Sequence, residues 1–192
     1  MKLFVLSAFA FATLAAGSAQ SQAQAPANPG PVIPGICVFH NDRLLGQSTA
    51  GQSVLSGMER LLTEVQGELA PYGAALQTEA QALQQGGQAA DPDGSRVRAF
   101  RQRAQEAEQL EQTRQQELQY TRQMQIRAIA EAADPILIAV YQERGCGILL
   151  DRTSVYVFNP AMDITDTVIQ RLNTALPSLS FNRMPVPVQP QE

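Results

Sequence analysis

The chain of 192 residues has no tryptophan, one histidine and two cysteines, and aromatic residues make up only 6% of it. So few aromatic residues argue against a deep, aromatic-lined pocket for a small molecule. One histidine and two cysteines cannot complete a zinc cluster, and no other run of residues has the spacing of metal ligands. We therefore expect no metal and no cofactor.

Positive charge is also scarce. Lys and Arg together number 14 against 18 Asp and Glu, which gives a formal net charge of −4. A domain that binds nucleic acid usually carries a strongly basic surface. Nucleic acid is therefore not expected as a partner.

No pairing of a nucleophile with a base indicates catalysis. His40 has Asp42 two residues on, but no G-x-S-x-G motif or comparable nucleophile accompanies it. Gly86-Gly87 lies between two helical patterns and no lysine follows it, unlike a phosphate-binding loop. The sequence predicts no catalytic residue, and we expect the protein not to be an enzyme.

The only long hydrophobic run lies at the amino terminus. Lys2 is followed by an apolar run over residues 3–16, and Gly17-Ser18-Ala19 supplies the small residues that a signal peptidase requires. The run is short for a hydrocarbon core of about 30 Å. We predict a signal peptide over residues 1–19, with Ala23 as the alternative cleavage site, and export of a chain that has lost its only lysine.

Two proline-rich segments flank the part that we expect to fold. Residues 20–34 and residues 181–192 are polar and rich in proline, so they cannot bury enough apolar surface to fold alone. We predict a disordered leader over 20–34 and a disordered tail over 181–192.

The two segments just inside these flanks, residues 35–51 and 145–180, are predicted to form a small body. The apolar run 36–39 indicates a buried strand, and runs 148–151 and 155–158 indicate two more strands joined by a turn. Asp163-Ile164-Thr165 then provides capping side chains for a short final helix. The first and second strands are expected to pair in parallel, because the long segment between them can serve as the crossover.

That intervening segment, residues 52–144, predicts a long antiparallel helical hairpin with its tip near residues 86–94, where turn-forming residues cluster. The polar stretch 112–117 of its second helix is expected to loosen the pairing midway. Pro71 interrupts the first helix, as either a packing irregularity or a hinge. A leucine heptad is expected to form the coiled-coil seam: Leu55, Leu62, Leu69, Leu76 and Leu83.

The predicted fold class is therefore α+β, with a small β-rich body and a helical-hairpin arm inserted between the first and second strands. Cys37 and Cys146 lie at the edges of neighbouring predicted strands, so they form either a disulfide or two buried thiols. The beginning of the second arm helix is locally basic at Arg96, Arg98, Arg101 and Arg103. These arginines form either a solvated helix face or a contact with anionic lipid headgroups or acidic polypeptide.

The carboxyl-terminal part of the body resembles the Skp/OmpH family of periplasmic chaperones. The similarity lies in the strand ending at Asp151, in Val155-Tyr156, and in the entry to the last helix at Asp163, Ile164 and Thr165. The resemblance implies a homotrimer in the periplasm whose arms hold unfolded outer-membrane proteins without ATP. The best-known members are basic with lysine-rich arms, whereas this chain is acidic.

An alternative is a structural or adaptor coiled coil of the cell envelope, similar to the hairpins of periplasmic efflux adaptors. In those adaptors the hairpin is inserted within a larger set of β domains. Here only short predicted strands flank it, which favours the chaperone.

Overall fold

The structure is a computed structural model that describes residues 30–187, apart from the side chains of residues 88 and 90. The predicted signal peptide, most of the predicted leader and the last five residues lie outside the described residues. The described chain is mostly helical. Its elements are β1 (Ile36–Phe39), α1 (Asn41–Gln47), α2 (Thr49–Ala90), α3 (Ser95–Glu143), β2 (Ile148–Asp151) and α4 (Thr165–Ala175), with 3₁₀ turns at Arg152–Ser154 and Pro160–Met162.

The two strands pair in parallel, as predicted, with Cys37 opposite Leu149 and Phe39 opposite Asp151. The other edge of β1 forms a single bridge, between Val38 and Asp163. Because Ile164 N–H donates to the Val38 carbonyl (3.0 Å), the chain leading into α4 is held beside β1.

The predicted third strand over residues 155–158 is wrong. The Asp151 carboxylate accepts the Thr153 N–H (2.7 Å) and so starts a 3₁₀ turn directly after β2. Beyond it the Arg152 guanidinium donates to the Val155 carbonyl and lies 5.2 Å from the centre of the Phe158 ring. The segment therefore folds back on Arg152, and Tyr156 is 96% exposed.

The body has a small core beneath the arm. The predicted final helix is present, and it buries Val168, Ile169 and Leu172 against the foot of α3. Helix α1, which the sequence did not predict, adds Leu44 to this core. Cys37 and Cys146 form a disulfide with their Cα atoms 5.7 Å apart, so of the two alternatives the structure has the bonded form.

Helices α2 and α3 lie antiparallel, and the loop between them falls at the predicted tip. The Asp91 carboxylate caps α3 by accepting the N–H groups of Arg96 (2.9 Å) and Val97 (3.0 Å). Helix α2 begins three residues earlier than predicted and continues across Pro71; its one non-helical residue is Gly87. The continuous helix before Gly87 extends roughly 57 Å at about 1.5 Å per residue.

The predicted leucine seam does not match the observed one at the base of the arm. Leu55 and Leu62 are 62% and 48% exposed, whereas the buried positions are Val54, Leu61 and Val65. A straight helix drifts by about 20° per heptad, so one heptad series cannot face the partner along the whole arm. Leu69, Leu76 and Leu83, further along, are partly buried.

The predicted disorder from residue 181 is also corrected. Phe181 packs on the buried residues at the base of the arm. Arg183 forms ion pairs with Glu68 and Glu117. The segment is polar and rich in proline, so its sequence alone indicated disorder. The residues that hold it lie far away in sequence, on α2 and α3, and no local pattern reveals them.

Candidate functional site

The two arm helices pack incompletely in the distal half of the arm. A cavity of about 160 Å³ lies between them, and a second of about 270 Å³ continues toward the body. The walls are apolar at Tyr72, Leu76 and Phe100, with Arg103 and Glu106 at the rim.

Small residues explain the gap. Gly73, Ala104 and Ala107 line the second cavity, where larger side chains would interdigitate in a well-packed interface. Tyr72 remains half exposed beside them. This part of the arm has room for apolar side chains from outside.

The middle of the arm is closed by charge. Arg114 of α3 binds Glu68 of α2 and also Glu117 one turn further on. Arg183 from the end of the chain pairs with the same two carboxylates (3.0 Å each). The stretch 112–117, which was expected to loosen the hairpin, instead joins the helices here.

These contacts shift the pKa values of both Glu68 and Arg114. The hydrogen bond from Arg114 is the main cause that lowers the pKa of Glu68, with Arg183 adding to it. The pKa of Arg114 is raised, chiefly by Glu68. Sequence reasoning missed this cluster, since single Arg and Glu residues in a long polar helix usually mark a solvated face.

The four arginines near the tip do not form one site. Arg96 donates from Nε to Glu79 Oε1 (3.1 Å), and Glu79 raises its pKa. Arg98 donates to the Asp93 carbonyl (3.1 Å), inside the tip. Arg101 and Arg103 are exposed, and Arg103 lies at the rim of the distal cavity.

The body residues that carried the family resemblance make structural contacts. Asp163 accepts the Thr165 N–H (2.8 Å) and pairs with Arg43 (3.0 Å). Thr165 Oγ1 accepts the His40 N–H (2.9 Å), while Ile164 is buried. Asp151 starts the turn after β2, and hydrogen bonds from Thr153 lower its pKa. These contacts fix the junction of β1, α1 and α4.

Residues 30–187 contain neither a grouping of metal ligands nor a membrane-spanning helix. No three histidine, cysteine, aspartate or glutamate side chains in this range are grouped as metal ligands would be. Over the same range no helix combines the length and apolar character needed to cross a membrane.

The described residues thus form a long antiparallel helical hairpin on a small base of helices and two strands, and the hairpin is closed midway by ion pairs and loosely packed beyond them. The sequence model of the family Outer membrane protein (OmpH-like) matches residues 35–172. The chain belongs to this OmpH-like family, which confirms the resemblance seen in the sequence.

A solved structure agrees with this assignment. The crystal structure of a candidate outer membrane chaperone (OmpH-like) from Caulobacter crescentus is 31% identical to the chain, with a TM-score of 0.73. The match covers 82% of this chain and 94% of the other. No curated protein matches the sequence.

Proposed function

We propose that the protein is a periplasmic holdase that binds unfolded outer-membrane proteins without ATP and prevents their aggregation. Membership of the OmpH-like family is the observation that carries this proposal. The similar solved structure from Caulobacter crescentus, described as a candidate outer membrane chaperone, supports it.

The distal arm has the surface that such a function needs. A holdase must bind many sequences reversibly, which favours mixed polar and apolar surface that fits no single partner tightly. The cavity beside Tyr72 and Phe100 and the charged rim at Arg103 and Glu106 provide such a surface. We assign client contact to this part of the arm.

The arm itself is proposed to be an insertion between β1 and β2 that projects from a homotrimeric body. A two-stranded sheet is marginal alone, and exposed strand edges favour association. Ile148 on β2 and the nearby Tyr156 and Val157 are exposed, so this face is the proposed contact between copies. Three arms would then enclose a client.

Aggregation of a denatured outer-membrane β-barrel tests the function. The protein at several-fold excess of trimer should suppress turbidity when the barrel is diluted from urea without nucleotide. Absence of suppression would reject the chaperone and leave the adaptor coiled coil.

A shortened variant places the activity. Deleting residues 70–83 and 98–111 removes both distal walls and keeps the Glu68–Arg114 pair and the Asp91 cap. Light scattering across a dilution series should show trimers for both proteins. Lost suppression with an intact trimer is the expected result, and full suppression would move the site out of the distal arm.

A further inference from the structure

The segment that follows α4, residues 177–187, lies beyond the residues that the family model matches and runs along the base of the arm. Its main chain is held by side chains of both arm helices. Leu179 N–H donates to Ser53 Oγ (2.8 Å), and Met184 N–H donates to Thr121 Oγ1 (2.8 Å). Thr121 is fully buried in this arrangement.

An aromatic side chain of the segment occupies a recess in α2. A Cβ placed on Gly57 would lie 2.6 Å from Cζ of Phe181, so only glycine leaves room for the ring. Arg60 Nη2 donates to the Phe181 carbonyl (2.7 Å) beside it. The ring also packs against the buried Leu61, Val65 and Leu118.

A cation of the segment completes a charge cluster. Arg183 Nη1 lies 3.0 Å from Glu68 Oε2, and Arg183 Nε lies 3.0 Å from Glu117 Oε2. Without Arg183, the two carboxylates would share Arg114 alone. Glu68 and Glu117 therefore form a negatively charged site on the arm that can bind a cationic side chain.

The receiving residues follow one face of the helix. Ser53, Gly57, Arg60 and Glu68 recur at spacings of three, four and eight in α2, which places them on one side of it. Thr121 and Glu117 of α3 form the other wall. Side chains that bind main-chain groups, a recess for one aromatic ring and carboxylates for one cation are the features by which a groove recognises extended polypeptide.

We propose that the base of the arm is a peptide-binding groove for extended polypeptide with an aromatic residue followed two positions later by arginine, and that the protein's own tail occupies it. A tethered ligand competes at an effective concentration on the order of millimolar, so the tail keeps weaker ligands out. Unfolded clients with this pattern would displace it, and that last step alone rests on the proposed function.

Fluorescence anisotropy with a labelled synthetic peptide of residues 176–187 tests the groove in the full-length protein. Phe181→Ala combined with Arg183→Glu should release the tail. The matched control is Asn182→Ala, at an exposed position of the same segment. The released variant should bind the peptide at least about tenfold more tightly than the wild type or the control, because the competing tail is gone.

Two further measurements locate the binding. Gly57→Leu added to the released variant should abolish peptide binding, because it fills the recess. A peptide with glutamate in place of the arginine should bind about tenfold more weakly. Amide exchange of residues 179–184, followed by mass spectrometry, should be fast in the released variant and slow in the wild type.

A released tail with no binding of the peptide would overturn the proposal and leave the segment as an intramolecular brace. Slow exchange in the variant would overturn it too, because the named contacts would then not hold the tail. Neither measurement uses a client. A chain that binds the peptide but fails to suppress aggregation would keep the groove and reject the holdase.

Discussion

Glu68 on α2 and Arg114 on α3 are joined across the arm by an ion pair that uses both carboxylate oxygens, with Arg114 Nη2 2.6 Å from Glu68 Oε1 and Nε 3.0 Å from Oε1 and Oε2. The two side chains are only 33% and 19% exposed. The pair marks the boundary between the packed base of the arm and its open distal half. We therefore expect this ion pair to limit how far separation of the two arm helices extends from the distal half toward the body.

The first prediction concerns the acid stability of the arm. Because Arg114 and then Arg183 lower the pKa of Glu68 below its ordinary value of 4.5, the folded state favours the charged carboxylate. The charged Glu68 carboxylate therefore contributes to the free energy of unfolding at neutral pH. This contribution is lost as the pH falls below about 4.5 and through the folded-state pKa. Thermal unfolding between pH 3 and 7 should show a shallower acid loss for Glu68→Gln than for the wild type.

The matched control for this experiment is Glu59→Gln, at an exposed position of the same helix. Its acid profile should follow the wild type. Some acid loss remains in every variant, because Glu143, Asp93 and Asp151 also have lowered pKa values. Identical profiles for Glu68→Gln and the wild type would contradict the prediction.

The second prediction concerns the disulfide at the foot of the arm. Cys37 and Cys146 are 109 residues apart, so the bond closes a loop that contains the whole arm. A loop of this length confers about 4–5 kcal/mol in the chain-entropy treatment. Replacing both cysteines by serine should lower the free energy of unfolding by roughly 3–5 kcal/mol in urea titrations. Dithiothreitol should destabilise the wild type similarly and leave the double variant unchanged; an equal effect on both would show that the bond is not its target.

The third prediction concerns the entry to α4. Asp163 accepts the Thr165 N–H and pairs with Arg43, so Asp163→Ala removes both contacts. The loss should be about 1–2 kcal/mol of unfolding free energy. Asp163→Asn keeps an oxygen for the N–H and loses the charge, and we expect an intermediate stability by chemical denaturation. An asparagine variant as unstable as the alanine variant would assign the whole effect to the ion pair with Arg43.

Local patterns predicted the elements whose partners are near in sequence or fixed by the chain path. The Asp91 to Gly94 turn ended the first arm helix, and the capping residues at Asp163 marked the last helix. The parallel pairing of β1 and β2 followed from the length of the crossover between them. Helix α1 was missed because its short stretch, Asn41–Gln47, shows little apolar periodicity.

Sequence-based predictions failed where a contact between residues distant in sequence determines the local conformation. Residues 155–158 have the pattern of a strand, but an extended segment needs a neighbouring strand, and Arg152 binds the segment instead. The docking of Phe181 depends on the missing side chain at Gly57, which no local pattern reveals. Of the candidate site, the arginine-rich tip was visible in the sequence, whereas the open cavity and the Glu68–Arg114 pair depend on how the two helices face each other.

The fourth prediction tests Pro71 as a hinge. The helix continues across this residue, although proline has no N–H for the hydrogen bond to Gly67 and its ring crowds that turn. Pro71→Ala should therefore stabilise the arm by up to about 3 kcal/mol. Pro135→Ala near the body is the matched control. If Pro71 is a hinge, its variant alone should suppress aggregation of large barrels less well than of small ones; equal suppression would make it a packing irregularity.

The last prediction separates the tip arginines by role. Arg96 and Arg98 bind groups within the tip, so replacing both by alanine should lower local stability there, measured by amide exchange of residues 91–97. Arg101 and Arg103 are exposed on the next turns, where they can meet an anionic surface. A basic side chain near an anionic membrane contributes about 1 kcal/mol.

Arg101→Ala with Arg103→Ala should therefore weaken binding to phosphatidylglycerol vesicles by up to roughly thirtyfold in co-sedimentation, and the loss should shrink at high salt. Neutral phosphatidylcholine vesicles are the control for apolar adsorption. An unchanged affinity would make these arginines a solvated helix face. Because the chain is acidic overall, we expect a shallow salt dependence of client binding, in which these two side chains carry most of the attraction and the surrounding glutamates oppose it.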